Sequence, residues 1–251
     1  MGERTGIEWT DATWNPMTGC TKISSGCDHC YAATVAQTKT REVYLRHLPV
    51  KDTRANREDP FAPRFWPERL DLPLRWKEPR RIFVNSMSDV FHGQFSLDQI
   101  QQVFGVMGTA GWHQFQLLTK RPERALRLAE QLVWPENVWL GTSIENMNVA
   151  RRADALRQMP APVRFISAEP LLGPLDDLNL AGIHWVIGGG ESGAGFRPCD
   201  PAWARGLRDL CRREGVAFFW KQWGGFTPKS GGRELDGRTW DEYPVELSPI
   251  S

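Results

Sequence analysis

The feature that most narrows the fold is a recurring unit rather than any single residue. A short apolar run ends in a small or polar cluster, and a helix-like stretch often follows. The runs occupy residues 81–84, 113–118, 137–140, 163–166, 184–187 and 216–220, with an earlier candidate at 6–9. Each is short and rich in β-branched and aromatic side chains, which predicts a strand. Helical patterns are expected at 96–107, 122–132, 146–159 and 200–213. Ser96 and the Asp200-Pro201 pair suit helix starts, and Pro122 suits a first turn. Strands that alternate with helices pair in parallel through right-handed crossovers. The expected class is therefore α/β, a full or partial parallel (β/α) barrel of six to seven strands, formed as one domain over residues 1–251. The connection at 169–183 holds two prolines, Pro170 and Pro174, and has room only for a short helix.

Residues 39–81 break the pattern. Six prolines interrupt any long helix, and 12 Lys/Arg against 7 Asp/Glu give a local excess of +5 (12 − 7). This reads as an irregular basic elaboration, not a second domain. Its cations could follow a phosphate backbone while Trp66 and Trp76 stack on bases. Most of the 12 Trp are nevertheless expected in the core, and Trp14 and Trp223, beside the site elements, are the better stacking candidates. The whole chain carries only +1, so no global field selects nucleic acid or membrane. No run of about 18 apolar residues is present, so no spanning helix and no membrane partner are expected. The first eleven residues are polar and charged, unlike a signal peptide, which points to a cytoplasmic setting.

Three of the five cysteines crowd into eleven positions, Cys20, Cys27 and Cys30, spaced C-x6-C-x2-C. An odd, clustered set argues against a disulfide framework and for a metal or reactive centre. Gly19, Ser24, Ser25 and Gly26 make the loop pliable enough to wrap a metal. Three thiolates are one short of a closed zinc site or a four-cysteine cluster. His29 or His47 could complete a zinc, Cys199 or Cys211 could close the set, or the fourth position could stay open for a substrate. Binding groups of a parallel barrel gather at the C-terminal ends of its strands. Here those ends carry Asp89, Lys120, Glu145, Glu169, Glu191 and Lys221. The cysteine loop follows the first strand and so belongs on the same rim.

In these residues the chain resembles the radical S-adenosylmethionine superfamily. The stretches Gly19-Cys20-Thr21-Lys22, Cys30-Tyr31-Ala32, Leu118-Thr119-Lys120-Arg121-Pro122, Ile166-Ser167-Ala168-Glu169-Pro170 and Gly188-Gly189-Gly190-Glu191-Ser192 are more narrowly similar to a phage-encoded three-Cys-motif family. The superfamily's usual spacing is C-x3-C-x2-C with an aromatic before the last cysteine; here the first gap is six and His29 takes the aromatic position.

The resemblance implies a radical-SAM-like partial barrel in which Cys20, Cys27 and Cys30 hold three irons of a [4Fe–4S] cluster. The fourth iron would bind S-adenosyl-L-methionine, and its reductive cleavage would generate a 5′-deoxyadenosyl radical. Asp89, with Ser86 and Ser88, is expected at the cofactor's amino group, Ser143 and Glu145 at its ribose, and His29 on its purine. Gly188, Gly189 and Gly190 would let backbone approach the cofactor. Lys120, Glu169 and Lys221 are expected to act on the substrate, Glu169 alternatively at the cofactor's ammonium, with Arg121 as a further cation. The implied reaction rearranges or functionalises a nucleotide, a modified nucleoside or DNA, with the choice among isomerase, transferase and lyase open. An electron donor such as flavodoxin or ferredoxin is implied, and a bacterial host cell if the chain is phage-encoded. Two other classes stay open: a zinc-stabilised nucleic-acid-binding module, and a barrel hydrolase using Glu145, Glu169 and Glu191.

Overall fold

The computed structural model describes residues 5–244. Strand β1 (Ala12–Trp14) opens the sheet, and β2 (Met17–Thr18) pairs antiparallel with β3 (Arg64–Phe65) in a small separate ribbon. The main sheet continues with β4 (Arg81–Val84), β5 (Gln114–Thr119), β6 (Val138–Ser143), β7 (Arg164–Ala168), β8 (Trp185–Gly189) and β9 (Ala217–Gln222). Its seven strands lie in the order β1-β4-β5-β6-β7-β8-β9, and every neighbouring pair is parallel. Three short helices fall between β2 and β4: α1 (Tyr31–Thr38), α2 (Arg41–Leu45) and α3 (Arg54–Glu58), of which α2 and α3 lie in the irregular stretch. Crossovers are made by α4 (Leu97–Thr109), α5 (Pro122–Leu128), α6 (Arg152–Arg157) and α7 (Pro201–Glu214). Among the described residues no helix is long and apolar enough to cross a membrane.

The sheet curls into a half-barrel, and the aromatic packing proves the curvature. The Trp9 ring centroid lies 4.7 Å from Phe83 on β4 and 6.2 Å from Trp185 on β8. Those strands are four steps apart, about 19 Å in a flat sheet, so one indole reaches both only if the sheet bends around it. Phe165, Trp139, Phe219 and Tyr243 surround Trp185 and fill the lower interior. Gly141 stands beside Phe165, where any side chain would collide with its ring. The opposite face carries Ile82, Leu117, Leu140, Ile166, Val186 and Phe218 against the helices. Alternation along each strand thus feeds two cores, one inside and one under the helix layer. Strands buried on both faces read as continuous apolar runs, which is why they stand out in the sequence. Residues 240–242 add backbone hydrogen bonds to the open edge of β9, Trp220 N–H to the Trp240 carbonyl at 2.9 Å and Glu242 N–H to the Phe218 carbonyl at 3.2 Å. A covered edge resists pairing with another chain.

Several local expectations are corrected. Residues 6–9 form a turn, and the first strand starts at Ala12. The stretch 146–159 breaks into a 3-10 turn at Met147–Val149 and the short α6, because Asn146 accepts from Asn148 N–H and starts its own turn. The helix from Pro122 ends at Leu128 and passes into a 3-10 turn at Ala129–Gln131. No helix forms between β7 and β8. By contrast α4 begins as expected, with reciprocal Ser96 and Gln99 capping bonds. The expected base-stacking role of Trp66 and Trp76 is overturned by burial, at 1% and 8% exposure. Trp66 instead packs on Tyr44, His47 and Arg69. The irregular stretch is organised from within by Arg64, fully buried, whose guanidinium donates to the carbonyls of His47, Asn56, Asp59, Pro60 and Ala62.

Candidate functional site at the mouth of the half-barrel

Register decides which strand-end residues face inward. On β7, Phe165, Ser167 and Glu169 share the inner face; on β9, Phe219 and Lys221 do; on β6 the inner set runs through Trp139, Gly141, Ser143 and Glu145. The charged residues of the sequence motifs therefore converge over the aromatic plug. They meet as pairs. Lys221 Nζ donates to Glu169 Oε2 at 2.6 Å, and Ser167 supports the same carboxylate at 3.3 Å. Lys120 donates to Glu145 Oε1, Arg152 to Glu145 Oε2 at 3.1 Å, and Ser24 Oγ to Oε1 at 3.0 Å. Burial alone would raise the Glu145 carboxyl, but Lys120, Arg152 and Ser24 together hold it below the usual range.

The cysteine loop lies across this mouth. Gly19, at φ 84°, turns the chain against the Phe61 and Ala62 carbonyls, where a side chain could not fit. Four strand ends then hold the loop. Beyond β4, His92 Nε2 meets Thr21 Oγ1 at 3.0 Å. Burial, then the neighbouring Arg121, pushes the His92 ring down to about 4, so it is neutral at pH 7. Its Nδ1 accepts from Gln94 N–H at 3.3 Å, which makes Nε2 the donor to Thr21. Beyond β5, Arg121 donates to the Thr21 carbonyl at 3.0 Å and to Cys20 Sγ at 3.3 Å. Beyond β6, Gly26 packs so tightly on Glu145 that a side chain would strike the carboxylate. Beyond β8, Glu191 takes His29 Nδ1 at 2.9 Å and Arg197 at 2.9 Å, while Arg197 also donates to the Ser25 carbonyl at 2.9 Å. Burial would raise Glu191; its bonds to Arg197 and His29 bring it down to about 2.

The three thiols are unevenly placed. Cys27 is buried, and Cys20 and Cys30 are half-buried. Burial, then the charge of Asp89, pushes Cys20 up to about 11. Cys27 Sγ meets Ser24 Oγ at 3.9 Å, and Cys30 begins α1 without a side-chain cap. Among the described residues no three His, Cys, Asp or Glu side chains converge as a ready-made ligand set. The donor chemistry nonetheless suits an iron–sulfur cluster: three thiols from one glycine- and serine-rich loop, without strong hydrogen bonds at Cys27 or Cys30. One buried donor at the same rim, Asn85 Nδ2, has no partner. An unpaired buried donor costs about 1–3 kcal/mol, which a ligand acceptor would recover. Asn85 ends β4 with φ 59°, a left-handed conformation that asparagine tolerates better than most residues.

The remaining expected residues divide. Asp89 accepts from Thr119 Oγ1 at 2.8 Å, Lys120 N–H at 3.0 Å, Arg121 at 3.1 Å and Phe91 N–H at 3.0 Å. It anchors the β5 end rather than presenting a free carboxylate. Ser86 bonds Asn15, and Ser88 donates to the Met17 carbonyl at 3.1 Å, both fastening the β1–β2 turn. Ser143 is buried on the inner face, and its carbonyl accepts from Arg152 at 2.8 Å. The three glycines part company: Gly188 leaves room for Trp220 and Leu207, Gly190 for the Trp223 carbonyl, and only Gly189 faces Glu169. Of the proposed fourth ligands, His47 stacks on Trp66 at 3.9 Å, Cys211 is buried under α7, and burial pushes Cys199 up to about 12.

Tyr31, Asn85, His92, Arg152 and Arg197 were missed. Tyr31 is half exposed, yet surrounding protein raises its phenol, which donates to the Ser86 carbonyl. The Tyr31 position next to Cys30 was a signal within reach, as was Arg197 six residues past Glu191; His92 had none, since its partner Thr21 lies 71 positions away. No curated protein and no solved structure matches the chain. The family described as "Protein of unknown function (DUF5131)" matches residues 4–244, nearly the whole chain, and the chain belongs to that family.

Proposed function

We propose that the protein is a radical S-adenosylmethionine enzyme acting on a nucleobase, nucleoside or DNA. The observation that carries the reading is the seat of the cysteine loop: three thiols span the C-terminal mouth of an open parallel half-barrel, directly over inward-facing ion pairs. Cys20, Cys27 and Cys30 would hold a [4Fe–4S] cluster, with flavodoxin or ferredoxin as electron source. When bound, cluster and S-adenosylmethionine together supply one-electron cleavage of a carbon–sulfur bond and hydrogen abstraction.

The chain's own residues would do the rest. Asn85 Nδ2 offers an unused donor to a carboxylate, and Tyr31 offers a ring face within the mouth. The Lys221–Glu169 pair is joined by a hydrogen bond from Nζ to Oε2 at 2.6 Å and retains some contact with water, at 24% and 15% side-chain exposure. It can steer an anionic substrate or move one proton. The aromatic plug closes the floor and excludes water from below. The hydrolase alternative is weakened because Glu145, Glu169 and Glu191 are each tied to a cation. Anaerobic reconstitution should give a brown protein that releases 5′-deoxyadenosine from S-adenosylmethionine under reduction. Cys27→Ala should lose both colour and product. Absence of 5′-deoxyadenosine from protein with an intact cluster would overturn the reading.

A further inference from the structure

A groove of about 870 Å³ opens beside the mouth, where α5 packs on α6. Its cations are Lys120, Arg121, Arg124 and Arg127 on one wall and Arg151 and Arg152 on the other; its acids are Glu123 and Asp154. The local charge is +4 (6 − 2) in a chain whose net charge is +1. Arg124 and Arg127 lie three positions apart on α5, about 4.5 Å along its axis, and Arg121 precedes them at the N-cap.

Not all of this charge is spent inside the protein. Lys120 and Arg152 serve Glu145, and Arg121 serves Asp89. Arg124 donates to the His92 and Phe95 carbonyls at 2.5 and 2.8 Å, which orients the guanidinium without cancelling its charge. Arg127 and Arg151 are exposed, and among the described residues neither meets a carboxylate within ion-pair distance. Asp154 is already taken by Arg157 at 2.5 Å. Like charges at helical spacing repel one another, and Glu123 alone among the lining acids is outside an ion pair among the described residues, so a positive excess is left for a counter-charge from outside. Cations on facing walls, repeated along the groove, match a chain of anions better than a single one. The inner end of the row is Lys120, at the mouth itself, with the exposed Ile23 of the cysteine loop beside it.

The geometry points to a single-stranded nucleic acid whose phosphodiester backbone lies in the α5–α6 groove and whose base reaches the mouth. This deepens the function proposed above by naming a polymeric substrate, and rests on it only for the fate of the base. The test is anisotropy of a labelled oligothymidylate with the full chain, without cluster or S-adenosylmethionine. Three unspent cations predict a salt slope of about −2 for single strands between roughly 50 and 200 mM salt. Arg127→Ala with Arg151→Ala should weaken binding about tenfold and remove about 1.4 from that slope, while the Arg→Lys pair should retain it. Binding unchanged by the alanine pair overturns the inference. So does displacement of the oligomer by inorganic phosphate at matched phosphate concentration, which would mark a small-anion site. A chain that makes 5′-deoxyadenosine but fails to bind the oligomer sinks the groove and spares the radical chemistry; binding without that product does the reverse.

Discussion

Replacing Glu145 with Gln should expose how much of the mouth depends on one carboxylate. The side chain has 0% exposure and faces Arg152, 6% exposed, and Lys120, 21% exposed. Glu145→Gln retains the shape but leaves two cations without their counter-charge. Breaking a buried pair costs about 3–5 kcal/mol. Lys120 can reach water, so the lower end applies, about 3 kcal/mol. For a chain of this length that is about 6–12 °C in Tm. The pH dependence has a definite sign. The folded carboxyl titrates below its unfolded value of about 4.3. Its stabilisation is therefore complete above that pH and is lost as pH falls through the lower folded value. Urea unfolding of both proteins at pH 7 should show the full gap, which should narrow below about pH 4. A gap under about 1 kcal/mol at pH 7 would refute the assignment of Glu145 as the buried counter-charge. A gap that stays constant into acid would refute it equally.

Two further outcomes follow from the same geometry. Gly141→Ala drives a methyl into the Phe165 ring and should cost about 1–3 kcal/mol by overpacking; thermal unfolding reads it, and an unchanged Tm would contradict the inner packing. Glu191→Gln should loosen the hold on His29 and Arg197, so amides of residues 24–30 should exchange faster at pH 7; equal exchange in both proteins would rule out the latch.

The strands β4 to β9 were legible because burial on both faces makes them continuous apolar runs. Strand β1 was not, since Ala12-Thr13-Trp14 is only three residues long, while the more apolar Ile7 and Trp9 drew attention to a turn. Trp9 earns its hydrophobicity as a plug, a role that exists only once the sheet has curled. The triple glycine shows the same limit. Its composition suggested a cofactor's backbone cradle, but alternation turns Gly188 toward α7 and leaves only Gly189 on the inner face. The cation-rich 39–81 stretch buries Trp66, Trp76 and Arg64, so those aromatic side chains are core, and a second set of cations lines a groove on α5 and α6.

Local pattern was sufficient for parallel α/β architecture and for three thiols in a pliable loop at a strand end. Both follow from neighbours in sequence: side-chain periodicity, turn residues and cysteine spacing. Which charges pair was decided only by the folded chain. Ser24 finds Glu145 across 121 positions and His29 finds Glu191 across 162. Such partners meet through sheet curvature and strand register, which no local stretch of sequence encodes by itself.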